Sequence, residues 1–168
     1  CGITKDELLS VFKEQIKDLG IRNRMSEEET VAALTRKYDG YHFSEGMVDV
    51  FNPFSLLNCF SSLKFADYWF ASGTPTYLMR LMTDSDVNVN ELAGKEYDAS
   101  EFVDYKATKQ RPLPMLYQSG YFTIKGYNQR RNTYLLDFPN EEVRSGMVSM
   151  LASDYFGANE ASSSWINS

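Results

Sequence analysis

PLPMLYQSGYFTIKGYNQRRNTYLLDFPN, residues 112–140, changes its hydrophobic period twice in 29 residues. PLPMLYQSG, 112–120, predicts a short helix. Phe122 and Ile124, then Leu135 and Leu136, predict two strands, 121–127 and 133–138, around the polar turn NQRRN at 128–132. Pro139 is placed at the first position of a further helix, so that Glu141 and Glu142 fall in its first turn, where the helix dipole favours acids.

With EFVDY at 101–105 as another short helix, residues 101–168 run helix, helix, hairpin, helix, an order resembling a winged helix. Upstream the chain is mostly helical. Thr4 and Glu7 form a capping box, and Leu8, Leu9, Phe12, Ile16 and Leu19 repeat at helical spacing, predicting one helix from Thr4 to Leu19 that Gly20 ends. A second capping box, Ser26 with Glu29, opens the next helix. YDGYHFS at 38–44 reads as an aromatic turn and MVDVF at 47–51 as a hairpin strand. Pro53 then starts a helix whose apolar face is Phe54, Leu56, Leu57 and Phe60, and a short amphipathic helix is expected from Pro75. Residues 84–100 are polar, with a short helix near Val89 to Ala93, and read as a linker or seam. The expected class is α+β, mainly α-helical.

The 168 residues are 43% hydrophobic and carry a net charge of -6, ample for a packed core. The acidity lies in residues 1–100, with 16 Asp and Glu against 10 Lys and Arg; residues 101–168 balance at 7 and 7. Such a balance disfavours broad, sequence-independent nucleic-acid binding, which is mostly phosphate neutralisation. No apolar run reaches the roughly 18 residues of a membrane span, so no membrane partner is expected and the cytoplasm is the expected compartment. The opening Cys-Gly-Ile-Thr predicts that the protein extends upstream. The two cysteines and one histidine give no metal or disulfide spacing, and no metal ligand is assigned. GxxxxGK[ST] and GxSxG are both absent, so no catalytic residue is assigned.

Five stretches in order, YDGYHFS (38–44), VFNPFSLLNCF (50–60), YWFASGTPTYL (68–78), LYQSGYFTIKGY (116–127) and YLLDFPNEEVRSG (134–146), resemble the AAA-ATPase-like proteins of Bacteroides-type bacteria. In that family an ATPase module is followed by a PD-(D/E)XK nuclease-like domain. The resemblance implies that 1–83 is the helical lid of the ATPase, that 101–168 leads toward the nuclease-like domain, and that both catalytic centres lie outside this chain. ATP and Mg are then cofactors of the parent protein and not of this piece. The implied partners are the upstream ATPase core and the downstream nuclease-like domain.

Within that frame Gly73 and Pro75 form a turn that opens a lid helix near nucleotide, with Arg80 five residues beyond Pro75; the same residues also read as an ordinary helix start and a solvated charge. Tyr38, Gly40 and Tyr41 are rival nucleotide contacts, with Gly40 free to take a positive φ and the tyrosines either stacking on adenine or packing the core. Lys125, Arg130 and Arg131, with Lys106, Lys109 and Arg111 nearby, are candidate nucleic-acid contacts or solvated charges. Two competing classes follow: a nucleic-acid-binding winged-helix-like module, and a protein-interaction scaffold using Tyr68, Trp69 and Phe70 as exposed aromatics.

Overall fold

A computed structural model describes residues 2–42, 48–72, 80, 82–84, 87–103, 111–150 and 152. The fold is α+β and mainly helical, with a small antiparallel sheet. α1 (Lys5–Val11) begins at the Thr4–Glu7 capping box, both halves of which form. The expected single helix is interrupted at Phe12, whose φ of -109° and ψ of 28° separate α1 from α2 (Lys13–Asn23). Phe12 still donates to Leu8 and accepts from Ile16, so the apolar period runs through the break and could not reveal it. The bend lays the Phe12 ring on Phe60, centroids 5.4 Å apart.

Gly20 does not end the second helix. A Cβ there would lie 2.8 Å from the Met25 carbonyl oxygen and 2.8 Å from Thr30 Oγ1, so glycine serves close helix approach. The stop falls at Arg24, in the left-handed region. α3 (Glu27–Tyr38) follows its Ser26–Glu29 capping box. α4 (Pro53–Ser62) has Pro53 at its start, as expected, and the Asn52 side chain caps it. α1 to α4 enclose one apolar core, in which Leu8, Leu19, Leu34, Tyr38, Phe51 and Leu56 have no exposed surface. Fully burying each such aliphatic or aromatic side chain is worth roughly 1.5–3 kcal/mol. The MVDVF strand is reduced to isolated bridges, Tyr41 to Val50 and Ile3 to Phe51.

After α5 (Tyr68–Ala71) the chain is helical again at 82–84, then forms α6 (Val89–Leu92) and β1 (Lys95–Tyr97). The polar 84–100 segment thus supplies a strand. Three residues with two exposed side chains hold no readable alternation. α7 (Ala99–Val103) and α8 (Leu113–Gln118) precede the hairpin of β2 (Thr123–Asn128) and β3 (Thr133–Asp137). The sheet order is β1-β3-β2, with β3 central. α9 covers 141–150. A second apolar core joins Phe102, Leu116, Phe122, Leu136, Val143 and Met147 beneath the sheet.

No helix among the described residues is long and apolar enough to cross a membrane. Gly73 and Pro75, the helix expected from Pro75 up to residue 79, Lys106, Lys109 and the Ser-rich tail at 161–164 lie outside the described residues.

Candidate functional site

Between the two cores runs a polar seam, built where the YDGYH segment meets the β2 strand and the start of α9. Tyr38, the last residue of α3, is wholly buried. Its hydroxyl donates to the Ala66 carbonyl at 2.8 Å and accepts from the Ala66 N–H at 3.1 Å, while its ring stacks on Phe65. Burial holds its phenol far above the ordinary range. Tyr38 is thus enclosed within the first core.

Gly40 takes φ +95°, and a Cβ there would stand 2.1 Å from the Pro139 carbonyl oxygen and 2.7 Å from Lys125 Nζ. The turn needs glycine twice over, for its conformation and for this approach. The Lys125 ammonium donates to the carbonyls of Gly40 at 3.1 Å and Pro139 at 2.8 Å. A register shift between Ile124 and Gly126 makes Lys125 the bulged residue of β2, which re-aims its side chain toward the turn. Although Lys125 keeps exposed surface, burial of its charged end lowers its pKa, opposed by Asp49, Asp137 and Asp39. Its ammonium is thus engaged by two backbone carbonyls.

Asp39 and His42 complete this side of the seam. The Asp39 carbonyl accepts from Asn140 Nδ2 at 2.9 Å. Burial raises the Asp39 carboxyl, a backbone hydrogen bond at Gly40 partly opposing it, and its Oδ1 has no hydrogen-bond partner among the described residues. The His42 N–H donates to Thr123 Oγ1 at 3.1 Å, and the Thr123 hydroxyl donates back to the His42 carbonyl at 3.0 Å. His42 Nδ1 lies 3.0 Å from Asp49 Oδ1.

The other side is Glu142, which no motif singled out beyond its place in a helix first turn. It has no exposed surface. Its carboxylate accepts from Ser55 Oγ of α4 at 2.7 and 3.0 Å and from the Trp69 N–H of α5 at 3.1 Å. Burial raises its pKa, the largest influence; the Ser55 and Trp69 hydrogen bonds oppose it, as does Lys37, itself paired with Asp67 at 2.8 Å. A signal was present in the sequence. Glu142 lies four residues before Gly146 and beside Val143, Met147 and Met150, all on the buried face of α9. Pro139 is not the first helical residue. Asn140 caps α9, its Oδ1 accepting from the Val143 N–H at 3.1 Å, and Pro139 precedes it with its carbonyl free for Lys125.

Tyr41 lies on the same seam, in a cleft of about 320 Å³ shared with Trp69, Asn52 and Gly120. Its ring meets Trp69 edge-on at 6.5 Å. Burial pushes its phenol up to about 12, and Asn52 and Asn140 partly offset this without a well-aligned hydrogen bond to the hydroxyl. Tyr68 and Trp69 are half-buried, Trp69 packing against the second core, and the Phe70 side chain lies outside the described residues.

At the hairpin tip, Arg130 and Arg131 are exposed, and both backbone N–H groups donate to Asn128 Oδ1. Arg131 lies 3.5 Å from Glu96 of β1, whose carboxyl is held below its ordinary value by Thr133 first, then Asn128 and Arg131. The unforeseen strand thus brings an acid to the tip. Arg80 is exposed on its helical stretch and shares no hydrogen bond or ion pair with the seam among the described residues. No group of three or more His, Cys, Asp or Glu among the described residues is placed to hold a metal ion. Of the described nucleotide candidates, Tyr38 and Gly40 are enclosed in the fold, Tyr41 borders the cleft and Arg80 is exposed.

No family model matches the chain. The chain is 28% identical over 158 residues to the "Uncharacterized protein in vnfD 5'region" of Azotobacter chroococcum mcd 1. That match takes in 92% of this chain and 28% of the relative, so the chain spans little more than a quarter of that protein's length. No solved structure matches.

Proposed function

We propose that the chain is a coupling piece of a larger AAA-ATPase-like protein, non-catalytic itself, whose helical lid-like part passes nucleotide state to a downstream nuclease-like domain through the polar seam. One observation carries this reading: two separate apolar cores meet across hydrogen-bonded polar groups, centred on Glu142 with Ser55 and Trp69, instead of merging into one. A buried carboxylate in a low-dielectric seam changes free energy steeply when its hydrogen-bond partners shift. ATP and Mg belong to the parent's ATPase core in this reading, and the residues here respond at second hand. Arg80, Gly73 and Pro75 remain the proposed lid contacts.

The test is hydrogen exchange on the parent protein with and without ATP and Mg, alongside a direct measurement of ATP binding. Altered protection at the amides of His42 and Trp69, lost when the phosphate-loop lysine is replaced, is the expected result. ATP binding that leaves both amides unchanged overturns the coupling role.

The winged-helix-like order expected of 101–168 suggests a second reading, nucleic-acid binding by the hairpin tip, through Arg130 and Arg131. Glu96 beside Arg131 counts against it. Salt-dependent binding that Arg130→Ala and Arg131→Ala abolish would restore it.

A further inference from the structure

Residues of α1, α2 and α3 line a groove of about 890 Å³, with Ile16 of the first core among them. Its floor is apolar. Leu9 is 42% exposed within it, and Ile16 and Val31 line it. Its two ends differ in charge. Lys5, Lys13 and Arg36 stand at one end, because α2 begins where α3 finishes; Glu27 and Glu28, in the first turn of α3, stand at the other. Arg36 stays exposed, 3.9 Å from Glu141.

We propose that this groove is a docking site for an amphipathic helix of a partner protein, lying antiparallel to α3. The charges set the direction. A helix carries acids most favourably in its first turn and bases in its last. Its acidic start would face Lys5, Lys13 and Arg36, and its basic end would face Glu27 and Glu28. An apolar stripe at i, i+3, i+4 and i+7 would cover Leu9 and Val31. α3 has 12 residues, so an occupant of about three turns, ~16–18 Å long, matches the groove. Nothing in this inference depends on nucleotide coupling.

The probe is a fluorescent 14-residue synthetic helix with a leucine stripe, glutamates in its first turn and lysines in its last, compared with a peptide whose glutamates and lysines are exchanged. The first peptide is expected to bind about tenfold more tightly, the order given by several exposed ion pairs changing sign together. Lys13→Glu combined with Arg36→Glu, both at exposed positions, is expected to abolish that preference, and Leu9→Asp to weaken both peptides; melting curves check that each variant folds. Equal affinity for the two peptides, no binding of either, or a preference unmoved by the Lys13 and Arg36 exchange overturns the proposal. Sedimentation showing a dimer that Leu9→Asp dissociates also overturns it, assigning the groove to a second copy.

Discussion

Ser55 Oγ lies within 3.0 Å of both oxygens of Glu142, a hydroxyl on one apolar core holding a fully buried carboxylate on the other. Removing the hydroxyl leaves the carboxylate with the Trp69 N–H as its remaining donor among the described residues. Ser55→Ala is therefore expected to cost about 2–3 kcal/mol, the range for a hydrogen bond to a charged group whose partner stays buried. Urea denaturation reads it directly, and a loss below about 0.5 kcal/mol, the scale of an ordinary surface change, would show that the seam does not hold the cores together.

Two buried acids make stability depend on pH. The Glu142 pKa is raised in the folded chain, as is that of Asp39, in both cases first by burial. The folded state thus binds these protons more tightly than the unfolded one. The stability they contribute is fully present below the ordinary carboxylate pKa, and it is lost as pH rises through the raised folded values. Glu142→Gln removes one titration and keeps an acceptor for Ser55. The expected result is a variant that gains stability relative to the parent sequence as pH rises from 4 toward 7, measured as urea midpoints across that window. A gain that grows toward acid would contradict the assignment.

Gly40 and Gly94 both have positive φ, at 95° and 74°, yet they differ in surroundings. A Cβ on Gly94 meets nothing nearer than 3.9 Å, whereas on Gly40 it meets the Pro139 carbonyl at 2.1 Å. Gly94→Ala should cost about 1–2 kcal/mol of backbone strain. Gly40→Ala adds the forced separation of the turn from Pro139 and Lys125, and about 4 kcal/mol or more is expected, in the class of severe changes. Thermal melting of the two variants side by side separates conformation from contact.

These seam residues also mark how far the sequence could be read. The capping boxes at Thr4 and Ser26, Pro53 at its helix start and the two-strand hairpin were legible because each rests on residues within a few positions of one another. The Phe12 break was hidden by an unbroken apolar period, and Gly20 misled because its neighbour Thr30 belongs to the next helix. β1 exists because β3 pairs with it, a contact across about 40 residues. Gly40 was recognisable as a positive-φ residue. Its purpose was not, since Pro139 and Lys125 reach it from 85 residues or more away. Glu142 shows the same limit: its place on the buried face of α9 was readable, but its partners on α4 and α5 were not.

Arg131 and Lys125, paired as nucleic-acid candidates, should behave differently when replaced. Arg131→Ala removes an exposed pair with Glu96, and less than about 1 kcal/mol is expected. Lys125→Ala leaves the Gly40 and Pro139 carbonyls without their shared donor, and about 1–3 kcal/mol is expected. Equal, small effects on chemical denaturation would mean that the Lys125 ammonium is free after all.

Cys59 sits in the first core with no exposed surface, and burial pushes its thiol up to about 11, Tyr38 and Lys37 opposing. The thiolate is the reactive form, so both access and ionisation protect it. In a Cys1→Ser background, iodoacetamide at pH 8 is expected to leave Cys59 unmodified until urea unfolds the chain, with mass spectrometry following the adduct. Because Cys59 borders Tyr38 and lies in the field of Glu142, the urea concentration at which labelling begins reports the opening of this core. If the seam binds the cores into one cooperative unit, Ser55→Ala lowers that concentration in step with its loss of global stability; labelling onset unchanged in Ser55→Ala would mean that the two cores open independently.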